Sequence, residues 1–104
     1  MKRSDGIVEL DSDFGKELGF TSDKFHGYLW LTGKTIIISF IVSLQEGKGN
    51  LSRLFNAIGG FGYKIEIPTP SVKMQQIAEK RGFKQKFVYD DSFKEHVEIW
   101  TNAF

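Results

Sequence analysis

Cysteine is missing altogether from this chain of 104 residues. Its absence excludes disulfides, thiolate nucleophiles and cysteine-based zinc or iron–sulfur sites together. Histidine is scarce, and Asp11, Asp13, Asp90 and Asp91 do not fall at calcium-loop spacing, so no metal site is expected. Neither sign of charge dominates: the formal net charge is +1. A nucleic-acid or membrane-surface binder would show a strongly basic balance, and neither partner is expected. The longest apolar run, Thr35 to Leu44, falls well short of the roughly 20 residues of a membrane helix. No apolar stretch of signal-peptide kind follows Met1 to Asp5. Residues 1–104 are expected to form one cytoplasmic domain. Ten Phe, three Tyr and two Trp supply the material for its core.

Periodicity divides most of the chain. Gly6 to Leu10 suits a short strand, whereas Asp11 to Lys24 is rich in turn formers and reads as a loop with at most one helical turn. His26 to Leu31 and Thr35 to Ser43 flank the turn Thr32-Gly33-Lys34 as a hairpin. The second of these strands is almost continuously apolar, which predicts cover on both faces. Leu51, Leu54, Phe55 and Ile58 form the stripe of an amphipathic helix, with Asn50 as its cap and Gly59-Gly60 as its end. Tyr63 to Ile67 alternates as a strand closed by Pro68 and Pro70. Ser71 caps a second helix carrying Val72, Met74, Ile77 and Ala78, and Gly82 ends it. Lys84 to Tyr89 and Phe93 to Trp100 make a last hairpin around Asp90-Asp91-Ser92. The predicted order is β, β-β, α, β, α, β-β: an α+β fold with two helices, arranged in three layers. Residues 1–25 are the least readable.

One segment carries chemistry. The strand ending at Ser43 runs into Gln45-Glu46-Gly47-Lys48-Gly49-Asn50 and then into a helix. Glycines let the backbone approach a ligand, and the unpaired N–H groups of Asn50, Leu51 and Ser52 favour an anion such as a pyrophosphate. Lys48 adds a positive charge. A tight strand-to-helix turn explains the same spacing equally well. A P-loop is excluded, since Gly47-Lys48 lacks both the upstream glycine and the following Ser or Thr. A dinucleotide fingerprint is excluded too, since the run Gly47 to Ser52 lacks the third glycine.

With the helix that ends in Gly82-Phe83, the run Glu46 to Phe55 resembles the core of the GNAT superfamily of N-acetyltransferases. Members carry Arg/Gln-Gly-x-Gly-x-Gly/Ala after their central strand and a later helix ending in a phrase like Tyr-x-Lys-x-Gly-Phe. The resemblance covers roughly Tyr28 to Trp100. It implies a mixed, mostly antiparallel sheet whose central strand splays from the strand at Tyr63–Ile67, opening a cleft for the arm of acetyl-coenzyme A. Backbone groups near Ile41 and Ser43 would pair with that arm. Glu46, Gly47, Lys48, Gly49, Asn50, Leu51 and Ser52 would hold its phosphates, with Ser71 at the start of the second helix nearby. The basic residues Lys80, Arg81, Lys84 and Lys86 form either a solvated face or a contact for the adenosine 3′-phosphate.

The resemblance further implies transfer of acetyl to an amine on a protein or small molecule. Four positions depart from the pattern: Glu46 for Arg/Gln, Leu51 for a small residue, Ser71 for a common Asn, and Ala78 for the Tyr that often protonates the leaving thiolate. No catalytic residue is assigned: His26, His96, Tyr63, Tyr89 and Glu98 all have ordinary strand or surface roles. The departures motivate a rival reading, a non-catalytic interaction or regulatory protein of the same fold, of viral or mobile-element kind. A short chain with an open sheet edge also suits a homodimer.

Overall fold

In the computed structural model, residues 5–45 and 47–102 are described. The elements are β1 (Gly6–Val8), α1 (Asp13–Leu18), β2 (Phe25–Thr32), β3 (Thr35–Ser43), α2 (Asn50–Gly60), β4 (Lys64–Pro68), α3 (Val72–Lys80), β5 (Lys84–Asp90) and β6 (Glu95–Thr101). The strands form a six-stranded sheet in the order β1-β2-β3-β4-β6-β5. Only β3 and β4 run parallel; the other neighbours are antiparallel. The domain is thus α+β with a mixed sheet.

Among the described residues three helices are present where periodicity predicts two. The extra one, α1, is six residues long, too short to display a stripe. Its signals are local: Ser12 Oγ accepts from the Gly15 N–H at 3.1 Å, and Gly19 ends it in the left-handed region. The loop after it is tied down by Asp11, whose carboxylate accepts from the Ser22 N–H at 3.0 Å and from the Ser22 hydroxyl. The bonds from the Ser22 side chain and backbone hold the Asp11 pKa below its ordinary value. A depressed folded-state pKa stabilises above the unfolded value, and the contribution disappears as pH falls through the folded one. Asp11→Asn is therefore expected to be less stable than wild type at neutral pH, with the gap closing below about pH 4. Urea midpoints measured from pH 7 to pH 2.5 test this; a gap that persists in acid contradicts it.

A single core joins the layers. Leu29, Leu31, Ile36, Ile38, Ile65 and Ile67 of the sheet pack with Phe14 and Leu18 of α1, Leu54, Phe55 and Ile58 of α2, and Ala78 of α3. All three helices contribute to this one core, so the sheet is covered on one face and the arrangement has two layers, not the three expected. The opposite face exposes Ile7, Tyr28, Trp30, Phe40 and Val42. Cover on both faces of β3 is accordingly not observed. The near-continuous apolar text reflects a strand whose outer side chains lie bare.

A bulge divides β3. Tyr28 pairs with Phe40 and Trp30 with Ile37, so Ile38 and Ser39 together oppose Leu29. Beside it the backbones of β2 and β3 come so close at Gly27 that a Cβ there would lie 2.2 Å from the Phe40 carbonyl oxygen.

Candidate ligand groove

The parallel pairing of β3 with β4 covers only Thr35 to Ile37 opposite Lys64 to Glu66. The bulge turns β3 away, and Pro68 and Pro70 deprive the other side of two N–H donors. Beyond Ile37, β3 runs on to Ser43 beside β2 alone. The Leu44 N–H donates to Lys24 O at 2.8 Å. Hydrogen-bonded pairs alternate in an antiparallel ladder, so Val42 and Phe40 bond to β2. The backbone groups of Ile41 and Ser43 therefore point the other way, into the opening.

Three cavities with shared walls follow this opening. The inner one, about 170 Å³, lies between Ile38–Ile41 and Ile67–Ser71, with Met74 beside it. The middle one, about 150 Å³, shares Ile41, Ser71 and Met74 with it and adds Ser43, Leu51, Lys73 and Ile77. The outer one, about 350 Å³, shares Ser43, Leu51, Lys73 and Ile77 with the middle one and reaches Gly47, Gly49, Asn50 and Ser52. Together they make one groove from the splayed strands to the start of α2. No described residue lining it is acidic, and Lys73 lines two of its three parts.

At the outer end Gly47 and Gly49 adopt φ of 80° and 76°, a region costly for other residues. Gly49, not the expected Asn50, is the N-cap of α2, and it offers no capping side chain. Among the described residues no acceptor meets the N–H groups of Leu51 and Ser52, so these amides and the helix dipole remain available to an anion. The loop is braced from inside the helix. Arg53 donates through Nη2 to Lys48 O at 2.7 Å and to Asn50 Oδ1 at 2.5 Å.

Most residues picked out from the sequence meet in this groove. Ile41, Ser43, Leu51 and Ser71 line its middle; Gly47, Gly49, Asn50 and Ser52 line its mouth. Lys48 lines none of the three cavities and contributes a carbonyl to the brace. Glu46 lies outside the described residues. Ser71 is the cap of α3, its Oγ accepting from the Met74 N–H at 3.2 Å. Arg53 and Lys73 escaped the sequence reading. Their signal was electrostatic: each places a cation near the N-terminus of a helix, where the dipole disfavours it.

The candidate proton carriers lie elsewhere. His26 is exposed on β2, and Tyr63 packs against Phe14 with ring centroids 5.5 Å apart. Tyr89 and His96 meet edge-on in the far hairpin, while Glu98 accepts from Gln85 and from the Trp100 indole. Ala78 is fully buried in the core and lines none of the three cavities. Thr69 does line the inner cavity, held at φ 40° between two prolines with its N–H on Glu98 O at 3.0 Å. A β-branched residue at positive φ is strained, and strain of this kind concentrates at functional sites. Among the described residues no group of three or more metal-capable side chains occurs, and no helix is long and apolar enough to cross a membrane. Compared with protein-family models, curated proteins and solved structures, the chain matches none.

Proposed function

We propose that the chain binds acetyl-coenzyme A along this groove as a small GNAT-type protein and transfers its acetyl group to an amine. The observation that carries the reading is the continuity of the groove, from the splayed strands to the unpaired amides of α2. An acyl-coenzyme A has the matching shape: a narrow amide-bearing arm with a pyrophosphate at its far end. The arm's amides would extend the β3 ladder through Ile41 and Ser43, as an added strand would. The phosphates would meet the Gly47–Ser52 backbone, with Lys73 on the groove wall offsetting their charge.

The reacting end would then lie toward Ile38, Ile67 and Thr69. A neutral amine attacks the thioester carbonyl, a C–N bond forms and the C–S bond breaks. The amine's proton passes to water, and the thiolate takes a proton from water. Groove residues would act by alignment and exclusion of solvent. The absence of carboxylate, histidine and tyrosine from the described groove walls favours a second reading, in which the same ligand is held without turnover.

Isothermal titration with acetyl-coenzyme A tests the binding, and saturation below about 1 mM is expected. No heat at that concentration would sink the proposal. Thiol release across a panel of amines separates the two readings, steady release supporting transfer.

A further inference from the structure

The last strand of the sheet, β5, pairs with β6 on one side; on its other side no described residue adds a strand. The edge is seven residues long and uninterrupted by proline or a bulge, and such edges template pairing with another chain. Its exposed side chains are large: Phe87 is 64 % and Tyr89 55 % accessible. The hydrogen-bond phase of this edge can be read from β6. Glu98 O accepts from the Thr69 N–H, on the β4 side. Glu98 and its neighbour Phe87 are therefore a non-hydrogen-bonded pair. By alternation, Gln85, Phe87 and Tyr89 direct their backbone N–H and C=O groups outward.

We propose that β5 docks against β5 of a second copy of this chain, antiparallel, about a two-fold axis through Phe87. That register sets Phe87 against Phe87 of the copy and Gln85 against Tyr89, each a hydrogen-bonded pair, for about six backbone bonds. Lys84 then faces Asp90 of the copy at both ends. The charges at the ends of the strand are thus complementary to their own reversal. An axis between two residues mismatches the outward groups. An axis at Lys86 sets that lysine against itself, and one at Val88 carries Lys84 and Gln85 past the Asp90 end of the copy's strand. The contact is isologous and continues the sheet across the pair. Across the axis the two exposed phenyl rings become cross-strand neighbours, a stabilising pair on a sheet.

Sedimentation equilibrium of the full chain up to roughly 1 mM tests the proposal. The mass is expected to rise from 11.9 kDa toward twice that value. Phe87→Lys places two ammonium groups on the axis and should remove the dimer; at an exposed site it leaves the monomer's circular dichroism unchanged. Lys84→Glu or Asp90→Lys alone should weaken association about tenfold or more, since each reverses two contacts, and the double exchange should restore it. A chain that stays monomeric overturns the proposal. So does a dimer indifferent to Phe87→Lys but lost on Phe40→Lys, which would place the contact on the bare face of β2 and β3. Failure of the double exchange to restore association overturns the register.

Discussion

Gly27→Ala is expected to destabilise the domain by about 3 kcal/mol or more, a large part of the 5–15 kcal/mol typical of a natural domain. Two costs combine at this position. Its φ of 118° lies where side-chain-bearing residues are rarely found. The added Cβ would also sit 2.2 Å from Phe40 O and 3.0 Å from Ile41 Cα, backbone atoms that cannot swing aside. Relief requires moving β2 and β3 apart at the bulge, which breaks the ladder that carries Ile41 and Ser43. Gly33→Ala is the control: Gly33 also has positive φ, at 59°, but nothing lies within 4 Å of the added carbon. Its loss should be only about 1 kcal/mol. Urea unfolding followed by circular dichroism measures both, and equal losses for the two variants would show that close approach of the strands is not the cause.

Gly49→Val should abolish acetyl-coenzyme A binding, an affinity loss of about a hundredfold or more, while the chain stays folded. The cap of α2 sits at φ 76° with the Arg53 guanidinium 3.3 Å from where a Cβ would stand. The guanidinium can yield, but a β-branched residue resists the left-handed backbone. The loop would then relax to ordinary dihedrals, carrying the Gly47–Ser52 amides out of line with the groove. Asn tolerates the same region, so Gly49→Asn should keep measurable binding. Titration of both variants decides the matter: if valine binds as well as wild type, the loop does not hold the phosphates.

Much of the fold was legible because its elements are long enough to show a period. The stripe Leu51, Leu54, Phe55, Ile58 lies on α2, and the alternation from Tyr63 falls within a residue of β4. What escaped lacks periodicity or is decided between elements. The helix α1 spans under two turns, and only its cap and stop mark it. The bare outer face of β3 could not be inferred from its own residues, because Phe40 and Val42 would suit a covered face just as well. The phrase Gly82-Phe83 has a local cause: the Phe83 N–H reaches Ala78 O and the Gly82 N–H reaches Glu79 O, a Schellman termination. Gly19-Phe20 ends α1 likewise, on Gly15 O and Lys16 O. In both places the phenyl ring is buried. A Gly-Phe pair after a helix is thus explained by how helices stop, and it identifies a family only weakly. The groove was legible for the opposite reason: glycines before a helix start leave polar backbone groups that must face something.

One inserted residue in β3 acts as a phase shifter. Before Ser39 the even-numbered Ile36 and Ile38 turn their side chains into the core; after it the odd-numbered Ile41 and Ser43 take that side. Backbone polarity switches in step: the Lys34 carbonyl meets β4 upstream, and Ile41 and Ser43 open toward the groove downstream. Drawing the bulge out into regular pleat, with every residue kept, would restore strict alternation and bring Phe40 and Val42 inward. The groove would then inherit two bulky side chains and lose its row of free backbone groups, although no residue lining its mouth had been altered.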